Sequence, residues 1–296
     1  MAALLYYLLL KPLSLLPTRV LYGLSDGLYV LVYRVFGYRK RVVLTNLRNS
    51  FPDKSEAEIR AIAGTFYRQL CDWVVESIRN FSIPLDEAMA RFRVVNPELL
   101  DPYFEQGRHV ALLTNHYANW ELLPLGGDPY IQHHAIGIYA PLNNAFFDRK
   151  IIESRTRHGA GVHSKHDVRA MLERGFDVPV ILCFIADQAP RRATGDHLWT
   201  TFLHQDTPVM RGAEKIATEH DWPVVYGRTT CVKRGYYRFE LQLLTDRPRE
   251  LPPYAITQRY SDLLEAQIRE APAYWLWSHK RWKRRRPADA NPASSA

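Results

Sequence analysis

The segment His109-Val-Ala-Leu-Leu-Thr-Asn-His-Tyr-Ala-Asn-Trp-Glu121 changes character midway: an apolar run, Val110 to Leu113, gives way to polar Thr114-Asn115-His116. A helical pattern follows, predicted from Ala118 to Leu125. A strand that ends in polar residues and feeds a helix is the building step of an α/β domain, and catalytic groups in such folds gather at the carboxyl ends of strands. His116 and Glu121 are the natural pair here. On one continuous helix, residues five apart stand about 140° apart around the axis, so the two meet only if His116 lies in the turn and Glu121 on the helix. Glu121 is then expected to hold one imidazole nitrogen while the other accepts a proton. A turn-capping histidine beside a surface glutamate fits the same spacing.

Outward from this segment the pattern continues. Candidate strands are His109 to Thr114, Ala135 to Tyr139, Val178 to Ala186, Pro223 to Thr230 and Tyr236 to Leu243. Candidate helices are Asn144 to His158, Lys165 to Arg174, Thr207 to His220 and Pro253 to Ala271. Upstream, Ser55 and Glu58 form a capping box, followed by Ile59, Ile62, Phe66, Leu70, Trp73 and Val74 at helical spacing to about Asn80. The expected fold class is α/β, a mixed central sheet flanked by helices, carrying an N-terminal membrane-associated helical segment. The expected division is 1–45 for that segment, 46–286 for the main domain and 287–296 for a flexible tail.

The N-terminal expectation rests on two apolar stretches, Met1 to Leu10 and Thr18 to Phe36, separated by Lys11, Pro12 and Pro17. Neither supplies the roughly 20 apolar residues of a clean spanning helix, and no basic region precedes the first, as a secretory signal requires. A tilted marginal span and a hairpin lying in the bilayer interface both remain open, as does a pair of core helices closing off the domain. The basic group Arg34, Arg39, Lys40, Arg41 and Arg48 favours the membrane, on its cytoplasmic side.

Composition narrows the rest. At 47% hydrophobic and 24% charged, the chain of 296 residues is a folded globular protein with room for a substantial core. The net charge of +8 suits nucleic acid, an anionic membrane or an acidic protein. A second basic cluster, Lys280 to Arg286, is interleaved with Trp275, Trp277 and Trp282, a mixture that suits a membrane interface or stacked RNA bases. Three cysteines, Cys71, Cys183 and Cys231, fit no disulfide framework. His133, His134, His158, His163, His166 and His204 form no HExxH or comparable pair, so no metal is expected.

With these residues in view, the chain resembles the lipid A late acyltransferase (lauroyl-acyltransferase) family, within the wider glycerolipid acyltransferase-like group. That group's histidine, four residues and an acid appear as His116-Tyr-Ala-Asn-Trp-Glu121, in the Asn-His-x-x-Asn-Trp-Glu form of the lipid A branch. Three further blocks resemble the family in order: Tyr38 to Pro52, Asn144-Ala-Phe-Phe-Asp-Arg149, and Ala186-Asp187-Gln188. Phe202 to Glu214, containing Arg211, resembles a fourth. The chain departs at Ala189-Pro-Arg-Arg192 and at His204-Gln-Asp-Thr207, and is closer there to Bacteroidetes-type members.

The resemblance implies transfer of a fatty acyl group from acyl carrier protein to a hydroxyl of a lipid A precursor, with no cofactor. His116 is the implied base and Glu121 its partner, with backbone N–H groups around Asn115 as the oxyanion site. Arg149 is implied to bind phosphate, and Asn115, Asn119, Trp120, Asp187, Gln188 and Arg211 to contact substrate. Implied partners are acyl carrier protein, the lipid acceptor and an anionic membrane surface at the cytoplasmic face of the inner membrane, with no nucleic acid. Another lipid acceptor, of aminolipid or phosphatidylinositol mannoside type, is the same-class alternative. A non-catalytic membrane- or RNA-binding module is the alternative from another class.

Overall fold

A computed structural model describes residues 1–191 and 195–286; the tail expected at 287–296, and Arg192 of the departing loop, lie outside the described residues. Among the described residues nine strands occur in chain order: β1 Phe92–Val94, β2 Val110–Thr114, β3 His134–Tyr139, β4 Gly161–Ser164, β5 Val180–Ile185, β6 His197–Phe202, β7 Gln205–Met210, β8 Val224–Lys233 and β9 Tyr236–Thr245. Seven form a mixed sheet in the order β1-β9-β8-β2-β5-β3-β4. From β8 to β4 every pairing is parallel, while β8 and β9 form an antiparallel hairpin. β6 and β7 pair separately as a two-stranded ribbon.

The central strands β2 and β5 explain their own position. All five residues of β2 are buried, as a strand covered on both faces requires. The five expected strands are present, and the sheet gains two short ones, β1 and β4, too brief to show alternation. The helix expected from Thr207 begins only at Gly212, because Gln205–Met210 pairs with β6 and Pro208 sits in this two-stranded ribbon rather than in the main sheet. The Glu56–Arg79 helix carries the full Ser55–Glu58 capping box and buries Ile59, Ala63, Phe66, Tyr67, Cys71 and Val75.

The N-terminal stretch folds as two helices, Ala2–Ser14 and Thr18–Val35, bent by 118° at their junction. No single helix among the described residues is long and apolar enough to cross a membrane, though this bent pair qualifies by length and composition. The second helix lays Leu21, Ser25 and Tyr33 into the protein at four- and eight-residue spacing. Leu4, Leu8, Leu15, Val20, Leu24 and Leu31 stay exposed. The boundary expected after residue 45 falls inside the continuous Lys40–Ser50 helix, which buries Val43 and Leu47. Its start is tied to the C-terminal segment: Arg39 Nη1 donates to Ser278 O at 3.0 Å, and Asn46 Nδ2 to Trp277 O at 2.9 Å.

The C-terminal aromatic residues correct the interface expectation. Trp275 and Trp277 are core residues at 2% and 0% exposure, and Arg281 is buried beside them. Trp282 donates to Thr207 Oγ1 at 2.7 Å. Cations such as Lys280 and Lys283 are left outside, because the Trp275 and Trp277 rings pack into the core rather than face a bilayer or a base.

Candidate active site

β2 and β5 run parallel in register, with Thr114 opposite Ile185, and both end there. His116 and Asp187 each lie two residues past that last pair, so neighbouring strand ends deliver them side by side. His116 Nδ1 and Asp187 Oδ1 are 2.7 Å apart. Asp187 Oδ2 accepts from the His116 backbone N–H at 3.1 Å and from Trp275 Nε1 at 2.9 Å. Burial alone pushes the Asp187 carboxyl up, but the charge and hydrogen bonds of His116 and the Trp275 bond outweigh it and hold it below the usual carboxylate range. An ionised carboxylate only accepts, so Nδ1 carries the imidazole proton and Nε2 is left basic. Gln188 Nε2 stands 3.3 Å from that nitrogen.

The partner of His116 is therefore Asp187, not Glu121. The physical reason is the turn: Ala118 adopts a left-handed backbone, φ 53°, and no helix starts there. Asn119 instead caps a short 3₁₀ turn, Trp120–Leu122, and a single π-turn, Leu123–Gly127, follows. Glu121 thereby points to the Ala145–Arg155 helix, where Arg155 grips it through Nε at 2.9 Å and Nη2 at 2.7 Å. The Trp120 ring edges onto His116 at 4.9 Å and stacks on Trp73 at 4.8 Å.

A cavity of about 790 Å³ opens beside His116. His116, Trp120, Glu121, Arg155 and Gln188 stand on its wall, and Ala135, Ile136, Gly137, Ile181 and Cys183 supply an apolar lining along β3 and β5. Burial pushes the Cys183 thiol up to about 12, which keeps it protonated and unreactive.

Other expected site residues are elsewhere. Arg149 is exposed on the Ala145–Arg155 helix, 6.0 Å from the Phe146 ring. Six residues on, Arg155 faces about 120° away from it and is the arginine that lines the cavity. Asn115 is buried away from the cavity, with Nδ2 on the Tyr226 hydroxyl at 3.0 Å. Asn119 is fully buried and bonds Glu76 at 2.5 Å. Arg211 pairs with Asp196 at 3.0 Å and stacks on Tyr254, although Met210 and Gly212 beside it do line the cavity.

Of the amides around the expected oxyanion site, those of His116, Tyr117, Ala118 and Glu121 already donate, to Asp187, Asn115 O, Tyr274 O and Asn119 Oδ1. Cationic side chains on the cavity wall are Arg155 and Lys165; burial lowers the Arg155 pKa, and Glu121 with Tyr139 and Asp148 together raise it above its ordinary value. Behind Asp187, burial pulls the Arg281 guanidinium down to about 10 against the opposing pull of Asp187. Asp187 as the histidine's partner, Arg155 and Trp275 were missed in the sequence; the strand-end position of Asp187 was the one available signal.

A basic imidazole held by a buried carboxylate, opening on an apolar cavity at the strand ends of an α/β sheet, can take a proton from a hydroxyl beside an apolar chain, as acyl transfer to a hydroxyl requires. The chain matches the family model of bacterial lipid A biosynthesis acyltransferases over residues 1–284, and it belongs to that family; it is an O-acyltransferase of lipid A biosynthesis. It is 24% identical to the lipid A biosynthesis lauroyltransferase of Escherichia coli (strain K12), over 91% of this chain and 87% of that protein.

Proposed function

We propose that this enzyme moves a fatty acyl group from acyl carrier protein to the hydroxyl of a 3-hydroxyacyl chain on a glucosamine-disaccharide lipid A precursor. The observation that carries this reading is the 2.7 Å contact between His116 and Asp187 at the mouth of the apolar cavity. Asp187 keeps the proton on Nδ1, so Nε2 takes the proton of the acceptor hydroxyl as its oxygen attacks the thioester carbonyl. Gln188, whose amide stands 3.3 Å from Nε2, gives way to that hydroxyl when the acceptor binds. Collapse of the tetrahedral intermediate breaks the C–S bond, and the imidazolium returns its proton to the departing thiolate. An ester and a free carrier thiol result. Arg155, fixed by Glu121, places positive charge beside the developing oxyanion. No metal or covalent acyl-enzyme takes part in this sequence.

The acyl chain lies along β5, where Ile181 to Ile185 spans about 13 Å at the usual rise per strand residue. The exposed apolar face of the bent hairpin sits in the bilayer interface at the cytoplasmic face of the inner membrane. Arg34, Lys40 and Arg41 lie against anionic headgroups and Arg149 against a lipid phosphate. The test is turnover of acyl-acyl carrier protein with the purified precursor, followed by mass spectrometry. His116→Ala is expected to lower kcat by at least about 10³-fold, and near-normal transfer by that variant would overturn the reading.

A further inference from the structure

Glu76, near the end of the Glu56–Arg79 helix, is buried and gathers three donors from three other segments. Oε1 accepts the Tyr22 hydroxyl of the N-terminal hairpin at 2.7 Å. Oε2 accepts Asn119 Nδ2 from the turn after His116 at 2.5 Å and the Tyr237 hydroxyl of β9 at 2.8 Å. Burial pushes this carboxyl up, and the three hydrogen bonds pull it back.

Asn119 is held at both ends. Its Nδ2 is fixed by Glu76, and its Oδ1 accepts the Glu121 backbone N–H at 3.1 Å. The side chain is fully buried, so it cannot turn without breaking both bonds. Between these anchors stands Trp120, whose ring edges onto His116. The place of Asn119 in the turn therefore sets both the ring beside the base and the carboxylate that holds Arg155.

Tyr22 is equally well seated. Its hydroxyl lies over Gly235, a left-handed glycine at φ 77° in the β8–β9 turn, where a Cβ would collide with it. One turn on, Ser25 Oγ donates to Asp72 Oδ1 at 2.6 Å. Arg234 bridges Asp72 and Asp26, at 2.6 and 2.7 Å. A helix that served only to anchor the protein has no use for such a polar seat on its inner face.

We propose that Glu76 is a positioning residue for acyl transfer, and that through Tyr22 the N-terminal hairpin is a structural part of the active site. The path Tyr22–Glu76–Asn119 holds the turn that presents Trp120 to His116 and Glu121 to Arg155. This rests on His116 being the base, so the His116→Ala assay tests that foundation separately.

The experiment uses the full-length protein in detergent micelles, with acyl-acyl carrier protein and the glucosamine-disaccharide precursor. Tyr22→Phe deletes a single oxygen and leaves the ring in its seat; Glu76→Gln keeps the shape of the junction. Both are expected to lower kcat about tenfold, as a small misplacement near reacting groups does, with donor KM and partition into anionic vesicles unchanged, the melting temperature lower by only a few degrees, and the protein fully folded at the assay temperature. In an Asn119→Ala background, Tyr22→Phe is expected to have no further effect on kcat, because the path is already cut. Leu24→Ser, on the exposed face, is expected to weaken vesicle partition and leave kcat in micelles unaltered. Wild-type kcat in both Tyr22→Phe and Glu76→Gln would overturn the proposal. So would losses that track the fraction of unfolded protein, or a full additional loss from Tyr22→Phe in the Asn119→Ala background.

Discussion

Replacing Asp187 by Asn changes one atom and leaves the buried junction with a choice between two faulty arrangements. The native carboxylate accepts three hydrogen bonds: His116 Nδ1 at 2.7 Å, His116 N at 3.1 Å and Trp275 Nε1 at 2.9 Å. An asparagine has one acceptor oxygen and one donor amide. If its oxygen faces Nδ1, its NH₂ opposes two N–H donors in a buried site, each left unsatisfied at a cost of about 1–3 kcal/mol. If the amide flips, the oxygen satisfies both donors and the NH₂ points at Nδ1. The imidazole must then accept there and carry its proton on Nε2, where it cannot act as a base. The second arrangement leaves fewer unsatisfied groups and is the one expected. Loss of the correct tautomer, with geometry otherwise intact, lowers kcat about 10³- to 10⁴-fold. The assay is release of the carrier thiol from acyl-acyl carrier protein in the presence of precursor, with product confirmed by mass spectrometry. An Asp187→Asn enzyme within about tenfold of wild type would refute the reasoning, because it would show that neither the tautomer nor the imidazolium depends on this carboxylate.

Arg155→Ala strips both hydrogen bonds from Glu121, whose side chain is only 18% exposed; kcat/KM is expected to fall at least about tenfold, and Glu121→Ala added to it should cost less than in the wild type, read from a double-mutant cycle. Burial lowers the pKa of His279 to about 4, and its Nε2 accepts the Ala189 N–H at 3.2 Å, so the fold holds it neutral. The unfolded chain takes up that proton first, near the ordinary histidine value of about 6.5. Its contribution to stability is therefore complete above that pH and declines as the pH falls towards about 4; urea titrations across this window should show a shallower decline in His279→Gln. Ala135→Leu, which adds bulk to the apolar cavity wall on β3, is expected to shift donor preference towards shorter acyl chains, measured by competition between carrier thioesters of different length.

The sheet and the position of His116 at a strand end were legible because their signals are local. Val110 to Leu113 is an uninterrupted apolar run, Ser55 and Glu58 are three apart, and His116 directly follows a strand. The partner of His116 was not legible, since Asp187 lies 71 residues away and is brought near only by the β2–β5 register. Glu121 looked like that partner through sequence proximity. The left-handed Ala118, whose amide is held by Tyr274 O, turned it towards an arginine 34 residues on. The tryptophans of the C-terminal segment misled for a related reason. Composition shows rings and cations together, but only packing shows that Trp275 and Trp277 are core and that Trp275 holds the Asp187 carboxylate. At the N-terminus, hydropathy gave the apolar face, whereas the polar seat of Tyr22 and Ser25 depends on Glu76 and Asp72, some 50 residues distant.

The central claim is that this chain acylates a lipid A precursor through His116, and mass spectrometry of lipid A from cells lacking the gene tests it most directly. Deletion is predicted to remove the mass of one secondary acyl chain; the wild-type gene restores it and His116→Ala does not. Unchanged lipid A in the deletion strain, or full restoration by His116→Ala, would contradict the account.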